Sequence, residues 1–314
     1  DQNYSFGLAW NWSNSLADKH LLYLADFGPL IRKLHDFSNK YIETKDLQIG
    51  LSGFTPDDLR RVTADRDDRP YANLLYFENM TSISKPNDES FSLGLTVGVV
   101  GSTIGEGIQS GWHDLLREVT VTNQPYKPLG WDNQISDGGE LTGKLSAQYT
   151  KMLGSTTSKD FIYFFKLNGG YHTSAVAGVQ ARFGYLNEFK LPVEVDRSED
   201  TGGANKLFEP PAVDSYLAPR SRESFVFMGA QATHVVYNGL LQGFSKESEH
   251  VLTEDQVEDL VIDAYVGFQI PISRVFEDSQ YSSVSYALHY RSKEHNLADE
   301  REHWFGEVVL QWQR

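Results

Sequence analysis

The side chains best suited to chemistry lie in residues 97–137, VGVVGSTIGEGIQSGWHDLLREVTVTNQPYKPLGWDNQISD. This stretch predicts a strand, then a short amphipathic helix, then a loop rich in Pro, Gly and Trp. Gln109, Trp112, His113 and Leu116 follow at three- and four-residue spacing, so they share one helix face. Because imidazole can take a proton from water near neutral pH, His113 is the leading candidate for a general base.

Two neighbours on the chain suit a catalytic role for His113. Glu118 lies about one turn after it and could orient the imidazole ring, and Gln109 lies one turn before it. Ser102 or Thr103 could cap the helix. The alternative is a histidine that, beside a tryptophan, only anchors the helix to its scaffold. Spacing alone leaves both interpretations open.

Ser5 is a second candidate, on the polar face of the first strand pattern. It follows Tyr4 and precedes Gly7, a residue that allows close approach to the backbone. The alternative is a serine that simply lines a polar surface.

An arginine-rich segment, DLRRVTADRDDRPY, stands out in an otherwise acidic chain. Guanidinium groups bind phosphate through paired hydrogen bonds, so the segment suits a phosphorylated lipid headgroup. Its arginines are Arg60, Arg61, Arg66 and Arg69, and its interleaved acids are Asp57, Asp58, Asp65, Asp67 and Asp68. A solvated loop paired within itself is an equally good interpretation. The acids at 65–68 could attract Ca²⁺, but they lack the spacing of a calcium-binding loop, and acidic loops that bind nothing are commoner.

A further polar group follows a Pro-x-Gly turn at Trp131, Asp132, Asn133 and Gln134. Asp132 and Gln134 could hydrogen-bond the helix or a ligand. We favour the alternative, in which the segment is a loop anchor whose Trp131 packs against the rim of the scaffold.

The elements that must position these residues are strands with strict alternation. Apolar and polar side chains alternate over about ten residues, which is typical of transmembrane β-strands and long for a soluble sandwich. Eleven segments fit, near 4–13, 45–54, 71–81, 90–100, 141–151, 160–169, 173–185, 224–235, 258–270, 281–291 and 303–312. Bacterial barrels have an even number of strands, so we expect a further strand encoded before residue 1. The sequence thus predicts an all-β, up-and-down transmembrane barrel with a short extracellular helix, in a single domain over 1–314.

Composition narrows the function classes. Cysteine is absent, which excludes disulfides and thiolate–metal sites, and the net charge of −15 argues against nucleic acid as a partner. The connections 14–44, 55–70, 101–140, 186–223 and 238–257 are long, and we interpret them as the external loops of the barrel. The first of these could itself contain a short helix, in LLYLADFGPLIRKLHDFS.

Three stretches together resemble a known family. GVVGSTIGEGIQSGWHDLLRE, PLGWDNQI and DDRPYANLLYFEN are similar to the outer-membrane lipid A 3′-O-deacylase family, and the start at Asp1–Gly7 fits as well. The resemblance covers most of the first 150 residues, and the second half fits as a strand pattern. It implies a twelve-stranded barrel in the bacterial outer membrane that hydrolyses, with Ca²⁺, the ester holding the 3′ acyloxyacyl chain of lipid A.

The resemblance also implies roles for single residues. His113 matches the catalytic histidine and Glu118 the acid that supports it, while Ser5 stands where the family has a threonine hydroxyl. Arg61, with Arg60 beside it, stands near a family lysine and is a candidate for substrate binding, as is Gln109. Calcium would polarise the ester carbonyl and stabilise the oxyanion; its ligands stay open.

The chain departs from the family in one place that matters. The family carries an Asn-Asp pair in its first strand, ahead of the position matched by Asp1, and this sequence does not contain it. Two alternatives therefore stay open: a passive porin, and a non-catalytic lipid-binding or structural barrel. On the main interpretation the partners are lipid A or lipopolysaccharide and the surrounding membrane lipids, and the protein is a monomer.

Overall fold

The computed structural model describes residues 6–13, 25–34, 41–107, 111, 128–187, 223–272, 281–298 and 301–313. These residues form an eleven-stranded antiparallel sheet in which consecutive strands are neighbours throughout. The strands are β1 (Phe6–Ser13), β2 (Ile42–Phe54), β3 (Ala72–Lys85), β4 (Glu89–Val100), β5 (Glu140–Ser155), β6 (Lys159–Gly170), β7 (His172–Tyr185), β8 (Ser224–Asn238), β9 (Leu260–Pro271), β10 (Tyr281–Arg291) and β11 (His303–Gln313). The predicted all-β barrel fold is confirmed, with strand ends shifted by a few residues.

The wall of the barrel is apolar outside and polar inside. On β5, Lys144 and Thr150 are 3% and 2% exposed, whereas the alternating Leu141 and Leu145 are 85% and 57% exposed. A soluble sheet shows the opposite pattern, because water favours polar side chains on its outer face. The reversal is typical of a barrel whose outer face meets lipid.

The sheet curls so that its polar faces line a common lumen. Contacts across the lumen join β2 to the turn between β6 and β7, since Phe54 and Tyr171 share one apolar cluster. In the described residues β1 and β11 are the two edges of the sheet.

The connections leave the sheet at two ends. We call the end at which β2 and β4 finish the upper end; it carries residues 55–71, 101–139, 239–259 and 292–302. The other end is the lower end, and it carries the short turns after β3 and β5.

The interpretation of all five long connections as loops on one side is wrong. Consecutive antiparallel strands place consecutive connections at opposite ends of the sheet. The connections 14–41 and 186–223 therefore leave from the lower end, opposite to the other three.

Short helices lie at both ends of the sheet. At the lower end α1 (Gly28–Leu34) confirms the helix expected between β1 and β2, and at the upper end α2 (Gly239–Gln242) follows β8. Residues 104–107 and 111 are also helical, within the predicted short helix. None of the helices in the described ranges is long and apolar enough to cross a membrane.

Candidate active site

Four predicted site residues lie outside the described residues: Ser5, Gln109, His113 and Glu118. Their roles therefore stay predictions. The structure does describe the rim from which the helix of His113 starts, and that rim determines where the helix begins and what holds it.

The helix begins directly after β4. Gly101 turns the chain with φ 72°, a conformation that glycine adopts without strain. The amide of Gly107 donates to the carbonyl of Thr103 at 3.2 Å, which makes Thr103 the N-cap of the turn 104–107. The predicted start of the helix is confirmed, although the hydroxyl of Ser102 bonds elsewhere.

Asn73, the second residue of β3, joins three segments of the rim. Its side-chain Nδ2 donates to the Ser102 carbonyl at 2.8 Å and to Gln134 Oε1 at 2.5 Å. The Ser102 hydroxyl donates back to Asn73 Oδ1 at 2.9 Å, and the amide of Gly101 donates to the Asn73 carbonyl at 3.1 Å. The amide is fully buried, so these bonds replace water that the side chain has lost. Asn73 therefore fixes the strand-to-helix turn against the loop that follows the helix.

The helix starts on the outer side of the barrel. Residues 74 and 76 of β3 face the lumen, where they join the apolar cluster with Tyr171, so Asn73 projects from the outer face. Gly105 lies directly against it: a Cβ at this position would come within 2.8 Å of the Asn73 side chain. The turn that leads to His113 is thus packed on the face of the wall that meets lipid.

The loop 128–139 is anchored by Trp131, as the favoured interpretation predicted. Trp131 is 2% exposed, and its ring lies 5.0 Å from that of Tyr71 at an angle of 59°. Gly130 is needed there, because a Cβ would come within 2.4 Å of the Tyr71 ring. Burial of this ring raises the pKa of the Tyr71 phenol well above its ordinary value. Gln134 bonds Asn73, while Asp132 is exposed.

The same loop closes the lumen. The Ile135 amide donates to the Tyr71 carbonyl at 2.8 Å, and the fully buried Ile135 side chain enters an apolar cluster inside the upper end. We call this cluster the plug: Phe54, Ala72, Leu74, Tyr76, Val100, Ile135, Tyr171 and Leu240, with Phe244 packed against it. An apolar plug across the lumen is suited to a filled barrel and not to an aqueous channel.

Three of the four clustered arginines lie at the surface of the upper end. Arg60 pairs with Asp58 at 3.0 Å and Arg61 pairs with Asp65, while Arg66 is exposed. The hydrogen bond from the Arg60 guanidinium lowers the pKa of the Asp58 carboxyl. The pairs within the loop agree with the alternative of a self-paired segment, yet Arg60 and Arg61 stay accessible to a phosphate, with 61% and 50% of each side chain exposed.

Arg69 does not belong to the surface cluster. Its side chain is 3% exposed, and it lies over the Phe54 ring at 4.4 Å. Its Nη1 donates to Glu294 at 3.3 Å, and Glu294 also accepts from Arg291, which bonds Asp263 at 2.6 Å. This chain of ion pairs ties the 55–71 loop to β9 and β10 across the lumen. Neither interpretation of the arginine-rich segment, phosphate binding or a solvated loop, fits Arg69, because its guanidinium is buried in these ion pairs.

Comparison with known proteins assigns the chain to a family. A family model described as outer membrane protein LpxR matches residues 1–314. The chain belongs to the LpxR outer membrane protein family. Among solved structures, LpxR from Salmonella typhimurium is similar with a TM-score of 0.68 and 16% identity, over 98% of this chain and 88% of that chain. No curated protein matches the sequence.

The family membership confirms the resemblance seen in the sequence and places this protein in the outer membrane. The likeness to the Salmonella structure shows the barrel fold alone, because the identity is low. An apolar outer face and a polar lumen are what a barrel of the LpxR family requires in the outer membrane, because its outer face meets lipid.

The described residues of this LpxR-family rim leave the calcium ligands open. They contain no group of three or more His, Asp or Glu side chains placed to hold a metal. Two of the three acids of the 65–68 segment are engaged within the loop: Asp65 pairs with Arg61, and Asp68 accepts the amides of Asp57 and Arg69 at 2.7 Å each. Both interpretations of this segment, a calcium-binding loop and an acidic loop that binds nothing, stay open.

The sequence missed Asn73 and the internal role of Arg69. Asn73 bonds partners 29 and 61 residues away, and Arg69 bonds one 225 residues away. The spacing of residues within one helix or strand gives no signal for hydrogen bonds between residues so far apart in the sequence. The sequence does hold one signal for Asn73. An asparagine within the apolar strand segment Tyr-Ala-Asn-Leu-Leu is expected to be buried, and a buried side-chain amide requires hydrogen-bond partners.

Proposed function

We propose that this protein is a lipid A 3′-O-deacylase, which removes the 3′-linked acyloxyacyl group by ester hydrolysis. The observation that carries the proposal is the placement of the turn 104–107 on the outer, lipid-facing side of the upper rim, packed against Asn73. A histidine on this helix would meet an amphiphile from the membrane side without passing through the lumen. Membership of the LpxR family and the resemblance of the helix and loop motifs to the deacylase family support the same conclusion.

The proposed reaction uses water as the nucleophile. His113 would take a proton from water as the water oxygen bonds to the ester carbonyl carbon, and Glu118 would stabilise the imidazolium. The imidazolium would then return the proton to the sugar oxygen as the acyl C–O bond breaks. The products are the free acyloxyacyl acid and a 3′ hydroxyl on the sugar.

Other residues would bind and orient the substrate. Arg61, with Arg60 beside it, would exchange its loop carboxylate for a lipid phosphate, since both guanidinium groups are exposed. Gln109 would bind substrate one turn before the histidine, and Ser5 would hold the substrate or the attacking water. We propose Ca²⁺ as the cofactor on the resemblance alone, and its chemistry would be to stabilise the developing oxyanion.

The porin alternative is disfavoured by the plug. Phe54, Tyr171 and Leu240 are each at most 6% exposed and meet inside the upper end, where a channel would need water. Planar-bilayer conductance separates the two: the deacylase predicts no steady large current, and a porin predicts one.

The function is tested by incubating the full-length protein with lipid A in detergent micelles and following the products by mass spectrometry. We expect loss of the 3′ acyloxyacyl group, loss of this activity in a calcium chelator, and recovery when Ca²⁺ is added back. Release of other acyl chains would contradict the 3′ assignment. Full activity in chelator would contradict the metal but leave the hydrolase in place.

A further inference from the structure

The helix α1 lies on the outer wall of the barrel, at its lower end. Ile31 is fully buried against Ile83 of β3, and Phe91 and Leu93 of β4 pack against the same pair. Phe91 alternates with Ser90 and Ser92, which face the lumen and bond other lumen-facing serines, so the cluster lies outside. A helix on this wall occupies space that lipid would otherwise fill.

The segment 25–34 bonds a polar side chain that lipid could not satisfy. Asn79 projects from the outer face of β3, yet it is fully buried. The amide of Ala25 donates to Asn79 Oδ1 at 3.1 Å. An unpaired amide in contact with acyl chains is unfavourable, so the hydrogen bond to Asn79 holds the segment against the wall inside the membrane layer.

The exposed sides of α1 differ in chemistry. At about 100° per residue, Leu30 and Leu34 share one flank of the helix, and Arg32 lies on the opposite flank. The leucines are 45% and 65% exposed. Arg32 pairs with Glu43 on β2, the register partner of Ile83, so the basic flank points sideways along the wall toward β2. The leucine flank therefore points away from β2, and Lys33 projects away from the wall.

We propose that α1 is an interfacial segment that contacts phospholipid in the leaflet at the lower end. Leu30 and Leu34 insert among acyl chains, and Lys33 meets the headgroup phosphates. This surface continues the lipid-facing belt of the barrel, and its basic residues complement an anionic headgroup. The inference goes beyond the deacylase proposal, because it concerns the end of the barrel opposite to the rim of His113.

The absence of cysteine allows single-cysteine variants with a nitroxide label. The variants are Leu34→Cys, Leu30→Cys and Lys33→Cys, with Leu145→Cys on the bare wall as the lipid reference and Val62→Cys in the exposed upper loop as the water reference. Heat-modifiable gel mobility shows that each barrel is folded. Collisions with oxygen and with a water-soluble nickel chelate are measured in phosphatidylglycerol vesicles.

We expect the labels at 34 and 30 to collide with oxygen as at 145, and the label at 33 to lie nearer the water. Nickel accessibility at 34 and 30 equal to that at 62 would overturn the proposal. Shielding from both reagents would also overturn it, since a second copy or another protein segment would then cover the leucines.

The headgroup contact is tested on the Leu34→Cys label. Insertion should be deeper in phosphatidylglycerol than in phosphatidylcholine, and Lys33→Gln should remove this difference. An unchanged depth in both lipids would refute the role of Lys33. These readouts do not depend on deacylation, so failure of the proposed activity and failure of this inference are distinguishable.

Discussion

At the lower end of the barrel a buried ion pair joins neighbouring strands, whereas at the upper rim an amide joins segments that are distant in sequence. Arg182 and Asp160 face each other across β6 and β7, with Nη2 and Oδ2 2.6 Å apart. Asn73 instead connects β3 to the turn at Ser102 and to the loop at Gln134. The first contact strengthens a ladder that strand pairing already forms. The second fixes a turn and a loop that no ladder positions.

These two kinds of contact separate the stability of the barrel from the placement of the candidate active site. Damage to the lower lumen should unfold the barrel without a specific effect on chemistry. Damage to the rim should misplace the helix of His113 while the ladders persist. Variants at the two regions can test this separation directly.

The largest expected effect on stability is that of Arg182→Met. It leaves the carboxylate of Asp160 buried without its cation, which typically costs about 3–5 kcal/mol. The urea midpoint of unfolding, followed by heat-modifiable mobility, should fall accordingly, and activity per folded molecule should persist.

The matched control is Lys151→Met, which removes a cation from an ion pair with Asp88 at the same end of the barrel. Its side chain is 31% exposed, so the loss should stay below about 1 kcal/mol. Equal losses from the two variants would show that burial does not distinguish these pairs.

A smaller effect on stability, but a larger one on activity, is expected for Asn73→Ala. It removes the bonds to Ser102 and Gln134 and leaves the Gln134 side chain without its buried donor, at a cost of about 1–3 kcal/mol confined to the rim. Deacylation should fall about tenfold or more as the helix loses its fixed start, with the unfolding midpoint of the barrel little changed.

Asn79→Ala provides the control on the same strand. Asn79 is also fully buried, but it lies on the outer wall near α1, away from the rim. Its activity should match wild type. If the two variants lose activity equally, the rim has no special role in placing the helix.

The smallest effect is expected for Arg61→Gln. The ion pair with Asp65 is half exposed on the arginine side, so stability should change by less than about 1 kcal/mol. If Arg61 binds a lipid phosphate, KM should rise severalfold with kcat nearly unchanged, as measured on lipid A in micelles. Arg66→Gln, another exposed arginine of the same loop, should leave KM unchanged; an equal rise there would indicate a general charge effect.

The strands could be predicted from sequence because alternation is local. Leu141 to Thr150 carries its own pattern of apolar and polar faces, and all eleven segments appear in the sheet. The anchor role of Trp131 could also be predicted, since a large apolar side chain that follows a Pro-x-Gly turn is expected to pack against the scaffold. Strand order also determines the end of the sheet from which each connection leaves, because consecutive connections alternate between the two ends. Numbering the predicted strands in order places the connection 14–41 at the end opposite to 55–71.

The rim could not be predicted in the same way. Asn73 and Arg69 act through partners far along the chain, and Arg69 has the same local setting as the exposed Arg66. Only the fold decides which arginine enters the lumen. Sequence patterns thus predict the strands of the barrel well, but they do not predict the hydrogen bonds and ion pairs that join its loops.

We propose that a histidine on the rim helix is the general base of the hydrolysis, and His113→Ala removes that base. Lipid A from cells making the wild-type or variant full-length protein is compared by mass spectrometry, with heat-modifiable mobility as the check on folding. We predict a folded barrel whose release of the 3′ acyl chain falls by roughly a hundredfold or more, because general-base catalysis is typically worth 10²–10⁴. A folded variant that keeps more than about a tenth of the activity would show that His113 is not the general base, since loss of a general base costs more than that.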